Sequence, residues 1–179
     1  GFEVDEPDAV ILNLDPGLAF GTGTHATTSL CLAWLDKNLK PGSNVLDYGC
    51  GSGILGIAAK LLGADKIIAV DNDPQALVAT ADNAQRNGVE DDLLTYLPPD
   101  FEPGTLHPEQ YGVVLANILA QPLINLSHTL SEYVAPGGDL VLSGIMSSQS
   151  DWVKKAYQLE LIREVELDGW ICLHFKKAL

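Results

Sequence analysis

Two stretches of the chain combine residue types and spacings that could do chemistry. The first is Asp47-Tyr48-Gly49-Cys50-Gly51-Ser52-Gly53, which follows a short apolar run and opens a helix-like one. Gly51, Gly53 and Gly56 satisfy G-x-G-x-x-G, and Asp71 stands twenty residues beyond Gly51. Glycines let backbone approach a ligand closely, and an acid ending the next strand can accept hydrogen bonds from both hydroxyls of a ribose. The ligand-free alternative is a tight turn between a strand and a helix. Asp47 bears on which adenosine ligand would fit. A dinucleotide brings a pyrophosphate to the helix N-terminus, where a carboxylate repels it. S-adenosylmethionine carries a sulfonium and an α-ammonium and no phosphate. The charge sign favours S-adenosylmethionine over NAD, although Asp47 could instead cap local backbone N–H groups. The second is the glycine-rich loop Asp15 to His25, DPGLAFGTGTH; apart from it, Asn117 follows a later apolar run at the carboxyl end of a strand, where ligands of open α/β sheets sit.

Alternating elements are needed to position these residues. Ala9 to Leu14 reads as a short strand and Ala26 to Leu39 as a helix with apolar residues at helical spacing. Strands are expected over Asn44 to Tyr48, Lys66 to Val70, Leu93 to Leu97, Tyr111 to Ala116 and Asp139 to Ser143. Helices fall between them: Ile54 to Leu62, a segment from Pro74 to Asn87 capped by Asp73, and a mostly helical stretch over Ile118 to Val134. Pro136-Gly137-Gly138 marks a turn. A helix near Gln149 to Gln158 precedes two strands, Leu161 to Leu167 and Trp170 to Phe175, joined at Asp168-Gly169, a hairpin signal. The pattern predicts an α/β fold: a mainly parallel sheet covered on both faces by helices, with an antiparallel hairpin at its C-terminal edge.

Composition narrows the partners. The 179 residues carry 24 acids against 10 Lys and Arg, a net charge of −14. Arg86 and Arg163 are the only arginines, and from Asn87 to Val153 there is no Lys or Arg against nine acids. Such a surface repels phosphate backbones, so nucleic acid is not an expected partner, whereas a basic partner or cationic ligand is. No apolar run reaches the roughly 18 residues of a membrane span, so no membrane partner is expected either. Cys31, Cys50 and Cys172 form no C-x-x-C, which suggests neither a disulfide framework nor a metal site. A cytoplasmic location is expected.

With Asn117-Ile118-Leu119-Ala120 and Leu142-Ser143-Gly144-Ile145, the DPGLAFGTGTH stretch and the glycine turn resemble the PrmA family of bacterial ribosomal-protein methyltransferases. The resemblance runs from about Leu14 to the C-terminus. It departs at Ala26, where the family usually has Pro. It implies a Rossmann-like class I methyltransferase domain with a seven-stranded sheet. It further implies S-adenosylmethionine as cofactor, contacted by Thr28, Gly49, Asp71 and Asn117, with Phe20, Thr27 and Gly51 as further contacts. The implied reaction methylates lysine ε-amino groups and the N-terminal α-amine of large-subunit ribosomal protein eleven. No catalytic base is expected, although Asn117 could orient the amine. Ile-Leu after Asn117, in place of Pro-Pro-Tyr/Phe, argues against a glutamine target. The resemblance also implies that residues 1–14 end a linker, that 15–179 form the methyltransferase domain, and that a substrate-recognition domain lies ahead of this chain. Remaining alternatives are another amine substrate or a cofactor-binding module inactive by itself.

Overall fold

The computed structural model describes residues 11–14, 25–101 and 109–179. The helix α1 (Ala26–Asn38) begins at His25, whose ring nitrogen accepts the Thr27 N–H at 3.2 Å. There follow β1 (Val45–Tyr48), α2 (Ile54–Leu61), β2 (Ile67–Val70), α3 (Pro74–Arg86), β3 (Leu93–Tyr96) and β4 (Tyr111–Asn117). Then come α4 (Ala120–Asn125), α5 (Ser127–Tyr133), β5 (Val134–Met146), α6 (Ser150–Ala156), β6 (Glu160–Leu167) and β7 (Trp170–Lys176). The Asp73 carboxylate accepts the Gln75 N–H at 2.9 Å and Pro74 occupies the first turn of α3, as expected from sequence.

The strands form one sheet in the order β3-β2-β1-β4-β5-β7-β6. Pairs from β3 to β5 are parallel, and β7 is antiparallel to both β5 and β6. This is the predicted mainly parallel sheet with its closing hairpin, whose Asp168 and Gly169 adopt φ of 53° and 81°. Side chains alternate between two cores. Val45, Val113, Leu115 and Val141 pack under α1, α2 and α3, while Leu46, Val114, Ala116 and Leu142 pack under α4, α5 and α6.

Two expectations are corrected. Residues 11–14 are not a strand, because Asn13 exchanges hydrogen bonds with the Asn87 side chain (2.8 and 2.7 Å) rather than with a neighbouring backbone; residues 9 and 10 lie outside the described residues. The stretch after β4 is mostly helical as expected, and it divides into two helices because Leu126 (φ −95°, ψ 7°) leaves the helical region between them. Pro136-Gly137-Gly138 lies inside β5 instead of before it. There the Gly137 N–H donates to the Lys177 carbonyl (2.9 Å) and the Lys177 N–H to that of Gly138 (3.0 Å), so the chain's last segment supplies the bonds a turn would have closed on itself. Among the described residues no helix is long and apolar enough to cross a membrane, no group of side chains could hold a metal ion, and all three cysteines are buried and free.

Candidate functional site

Parallel strands whose connecting helices lie on opposite faces leave a crevice at their carboxyl ends where the order reverses. Here the reversal falls between β1 and β4, and a pocket of about 480 Å³ opens there. That volume lies in the range of small-molecule and cofactor sites. Of the residues anticipated from sequence, Thr28, Gly49, Gly51, Asp71 and Asn117 all line it.

Each is fixed by its own element. Asp71 follows the last residue of β2. One carboxylate oxygen accepts the Gly51 N–H at 3.0 Å and the other the Asp73 N–H at 2.9 Å. These bonds lock the carboxylate's orientation and leave each oxygen a further lone pair. Asn117 ends β4, and its Nδ2 donates to Thr28 Oγ1 at 3.3 Å, joining the sheet edge to α1. With Nδ2 so engaged, the Asn117 carbonyl oxygen keeps its acceptor capacity. Thr27 does not line the pocket: its carbonyl accepts the Ser143 hydroxyl at 3.0 Å, pinning the start of α1 to β5. Phe20 lies outside the described residues.

Asp47 is buried and does not reach the pocket. In β1 it points to the face opposite that of Leu46, toward α2, where Oδ2 accepts the Gly56 N–H at 3.2 Å and Oδ1 has no partner. Its role is therefore the local backbone cap, with its charge sealed beneath the glycine turn. Burial pushes its pKa up to about 7; the Gly56 N–H opposes that rise and the field of Asp71 adds to it. Burial, reinforced by the Asp47 charge, also pushes up the Cys50 thiol in the pocket wall.

Sequence reasoning missed the pocket's apolar half: Tyr48, Pro98, Ile118, Leu119, Pro122 and Leu126. Tyr48 was legible as the strand residue before the first glycine. Those in and flanking α4 were not, since nothing in their spacing tells a lining side chain from a core one. Gly144 in β5 (φ 87°) belongs to the same architecture, because a Cβ there would come within 2.2 Å of the Ile118 carbonyl oxygen. Among the described lining residues there is no Lys, Arg or His, and Asp71 is the one charged group. The donor set suits a ribose-bearing, cationic ligand and offers no cation to a pyrophosphate.

Strand order and pocket place the molecule among the Rossmann-like methyltransferase folds. Residues 2–178 match the family model described as Ribosomal protein L11 methyltransferase (PrmA), and the chain belongs to that family. It is 58% identical over 173 residues to the Ribosomal protein L11 methyltransferase of Marinobacter nauticus, covering 96% of this chain and 57% of that protein. With its counterpart in Methylococcus capsulatus it shares 52% identity over 176 residues, covering 97% and 58%. The chain thus spans less than two thirds of the length of these curated relatives. The crystal structure of ribosomal protein L11 methylase from Lactobacillus delbrueckii subsp. bulgaricus is 31% identical with a TM-score of 0.87, covering 99% of this chain and 91% of that one. An RNA methyltransferase from Salinibacter ruber, solved with S-adenosyl-L-homocysteine, shares the fold alone, at 22% identity and a TM-score of 0.64, covering 84% and 89%.

Proposed function

We propose that the protein binds S-adenosylmethionine in this pocket and transfers its methyl group to lysine ε-amino and N-terminal α-amino groups of ribosomal protein L11. One observation carries this reading: five residues anticipated from sequence converge on a single pocket in which, among the described lining residues, the one charged group is a carboxylate. The family's printed description and the names of the relatives supply the acceptor.

When bound, the cofactor supplies a methyl group already activated on a sulfonium, so the protein's work is positioning and desolvation. Asp71, oriented by two backbone N–H groups, offers its remaining lone pairs to ribose hydroxyls. Thr28 holds the Asn117 amide so that its carbonyl oxygen can accept from an incoming amine. A lysine amine has a reference pKa of about 10.4 and must shed a proton before it can attack. The apolar wall of Tyr48, Ile118 and Leu119 disfavours the ammonium form. The proton then passes to water as the amine enters, and no side chain is required as base.

Calorimetric titration tests the cofactor assignment. S-adenosylmethionine should bind and NAD should not. Each hydrogen bond to a charged acceptor contributes about 1.5–3 kcal/mol, so Asp71→Ala should weaken binding at least tenfold. Unaltered affinity in that variant removes Asp71 from the site, and NAD binding removes the reading. Label transfer from a radioactive methyl donor to purified ribosomal protein L11 tests the acceptor. A labelled cofactor that binds without any transfer to that protein would leave the acceptor assignment wrong.

A further inference from the structure

A second opening lies on the α1 side of the sheet, away from the pocket at Thr28 and Asn117. Leu30, Trp34 and Lys37 recur at i, i+4 and i+7 and so share one face of α1. Arg163 and Val165 of β6 stand opposite His174 and Cys172 of β7, and directly opposed residues share a face. Cys172 belongs to the core beneath α1, and the His174 ring meets that of Trp34 edge-on with centroids 5.0 Å apart. Helix and hairpin thus wall a groove of about 220 Å³. It shares no lining residue with the first pocket, and Lys37 stands about 14 Å along α1 from Thr28.

The lining sorts by chemistry. Leu30 and Trp34 are buried and give the groove an apolar floor, which Val165 and Ile162 extend. Lys37 and Arg163 are exposed, one on each wall. Among the described residues neither cation makes an ion pair or a hydrogen bond, whereas Lys60, Lys66 and Lys154 each reach a carboxylate. No acid is among the described lining residues. Asp139, which His174 reaches at 2.7 Å, is shared with Lys176 at 3.5 Å and does not line the groove. In a chain of −14, whose field repels anions elsewhere, an acid-free opening with two uncommitted cations is where a negative group gains most.

The apolar floor narrows the class of anion. A hydrated ion such as phosphate would have to shed water against Leu30 and Trp34 with nothing in return. A ligand with an apolar body and one carboxylate suits both halves: the body covers the floor, and the carboxylate takes the Arg163 fork and the Lys37 ammonium. The volume is below the roughly 300–1,000 Å³ of drug-sized sites, which restricts the body to a ring or a short chain. We propose that the groove between α1 and the β6–β7 hairpin is a binding site for a small amphipathic carboxylate, held by Lys37 and Arg163. The site stands independently of the methyltransferase reading.

The test uses the full-length protein, with benzoate and hexanoate as probes, their neutral amides as controls and inorganic phosphate as a third arm. Trp34 is the reporter: its indole N–H is buried without a hydrogen-bond partner among the described residues, and its resonance, assigned with Trp34→Phe, is read without turnover. Both carboxylates should move that resonance with midpoints of about 1 mM, the affinity open to ligands of roughly ten heavy atoms. The amides and phosphate should bind at least about fivefold more weakly. Lys37→Gln with Arg163→Gln, both at exposed positions, should weaken the carboxylates by about five- to tenfold and leave the amides unaffected. Amides that match their acids, or a double variant that binds the acids as the wild type does, would show an apolar crevice without anion selectivity and overturn the proposal. Phosphate binding as tightly as the carboxylates would overturn the amphipathic ligand, and an unmoved resonance at about 20 mM of either acid would remove the site. A change in sedimentation caused by the double substitution would assign the groove to a second copy and equally overturn it.

Discussion

Asp47 holds the most consequential proton in the molecule. Its pKa stands near 7 when folded against 3.8 for an ordinary aspartate. A carboxyl raised by folding binds its proton more tightly in the native state, so stability is greatest below about pH 4 with respect to this group. It falls as pH rises toward 7 and is lowest above that. The full cost of the buried charge is about 4 kcal/mol as an order of magnitude. Urea denaturation should accordingly show a decline in stability between about pH 4 and pH 7 that Asp47→Asn flattens. The slope is the diagnostic quantity, because an Asn amide would itself leave a buried donor unpaired. An equally steep slope in the variant would mean that Asp47 does not carry that proton. Its acidity was visible in the sequence, and so was its place beside the glycine turn. What the sequence lacked was direction: the two-residue period of β1 aims Asp47 under α2, one strand position away from where a ligand could meet it.

Among the elements, β5 shows how closely the sheet edge is fitted to the site. Gly144 and Gly42 have nearly equal φ, 87° and 83°, but very different neighbours. A Cβ at Gly42 meets nothing within 4 Å, whereas at Gly144 it runs into the Ile118 backbone. Gly42→Ala should cost about 1–2 kcal/mol, the conformational penalty alone. Gly144→Ala should cost at least twice as much and should weaken cofactor binding, because Ile118 lines the pocket. Equal losses in paired denaturation curves would rule out the close approach. Elements with strong local signals were legible: Asp73-Pro74 starts α3 and Asp168-Gly169 turns the hairpin as their chemistry dictates. Pro136-Gly137-Gly138 carries an equally strong turn signal and lies within β5, because its partner, Lys177, comes from the far end of the chain. Long-range bonds of that kind override local propensity and leave no trace in local spacing.

The whole molecule carries 24 acids against 10 Lys and Arg, and their distribution matters more than their sum. Nonspecific nucleic-acid affinity comes chiefly from cations that displace counterions, and the pocket side of the sheet draws on a stretch with none. Gel-shift titration at physiological salt should show no retention of duplex or single-stranded DNA at micromolar protein; retention would contradict the electrostatic argument. For a basic partner the same field accelerates encounter, an effect that added salt weakens.

The three sealed thiols give the molecule a built-in clock. Cys31 lies wholly inside, on the buried face of α1, and its pKa is raised well above the ordinary thiol value, first by its bond with Cys172 and then by burial. Little thiolate exists there for an alkylating reagent to meet, so modification of Cys31 waits for the structure to open. Cys50 sits in the pocket wall and can be uncovered by a smaller fluctuation. Mass-resolved iodoacetamide labelling should therefore run at two rates, with Cys50 ahead of Cys31. A pocket ligand should slow the faster one through local closure and the slower one only as far as it stabilises the whole fold.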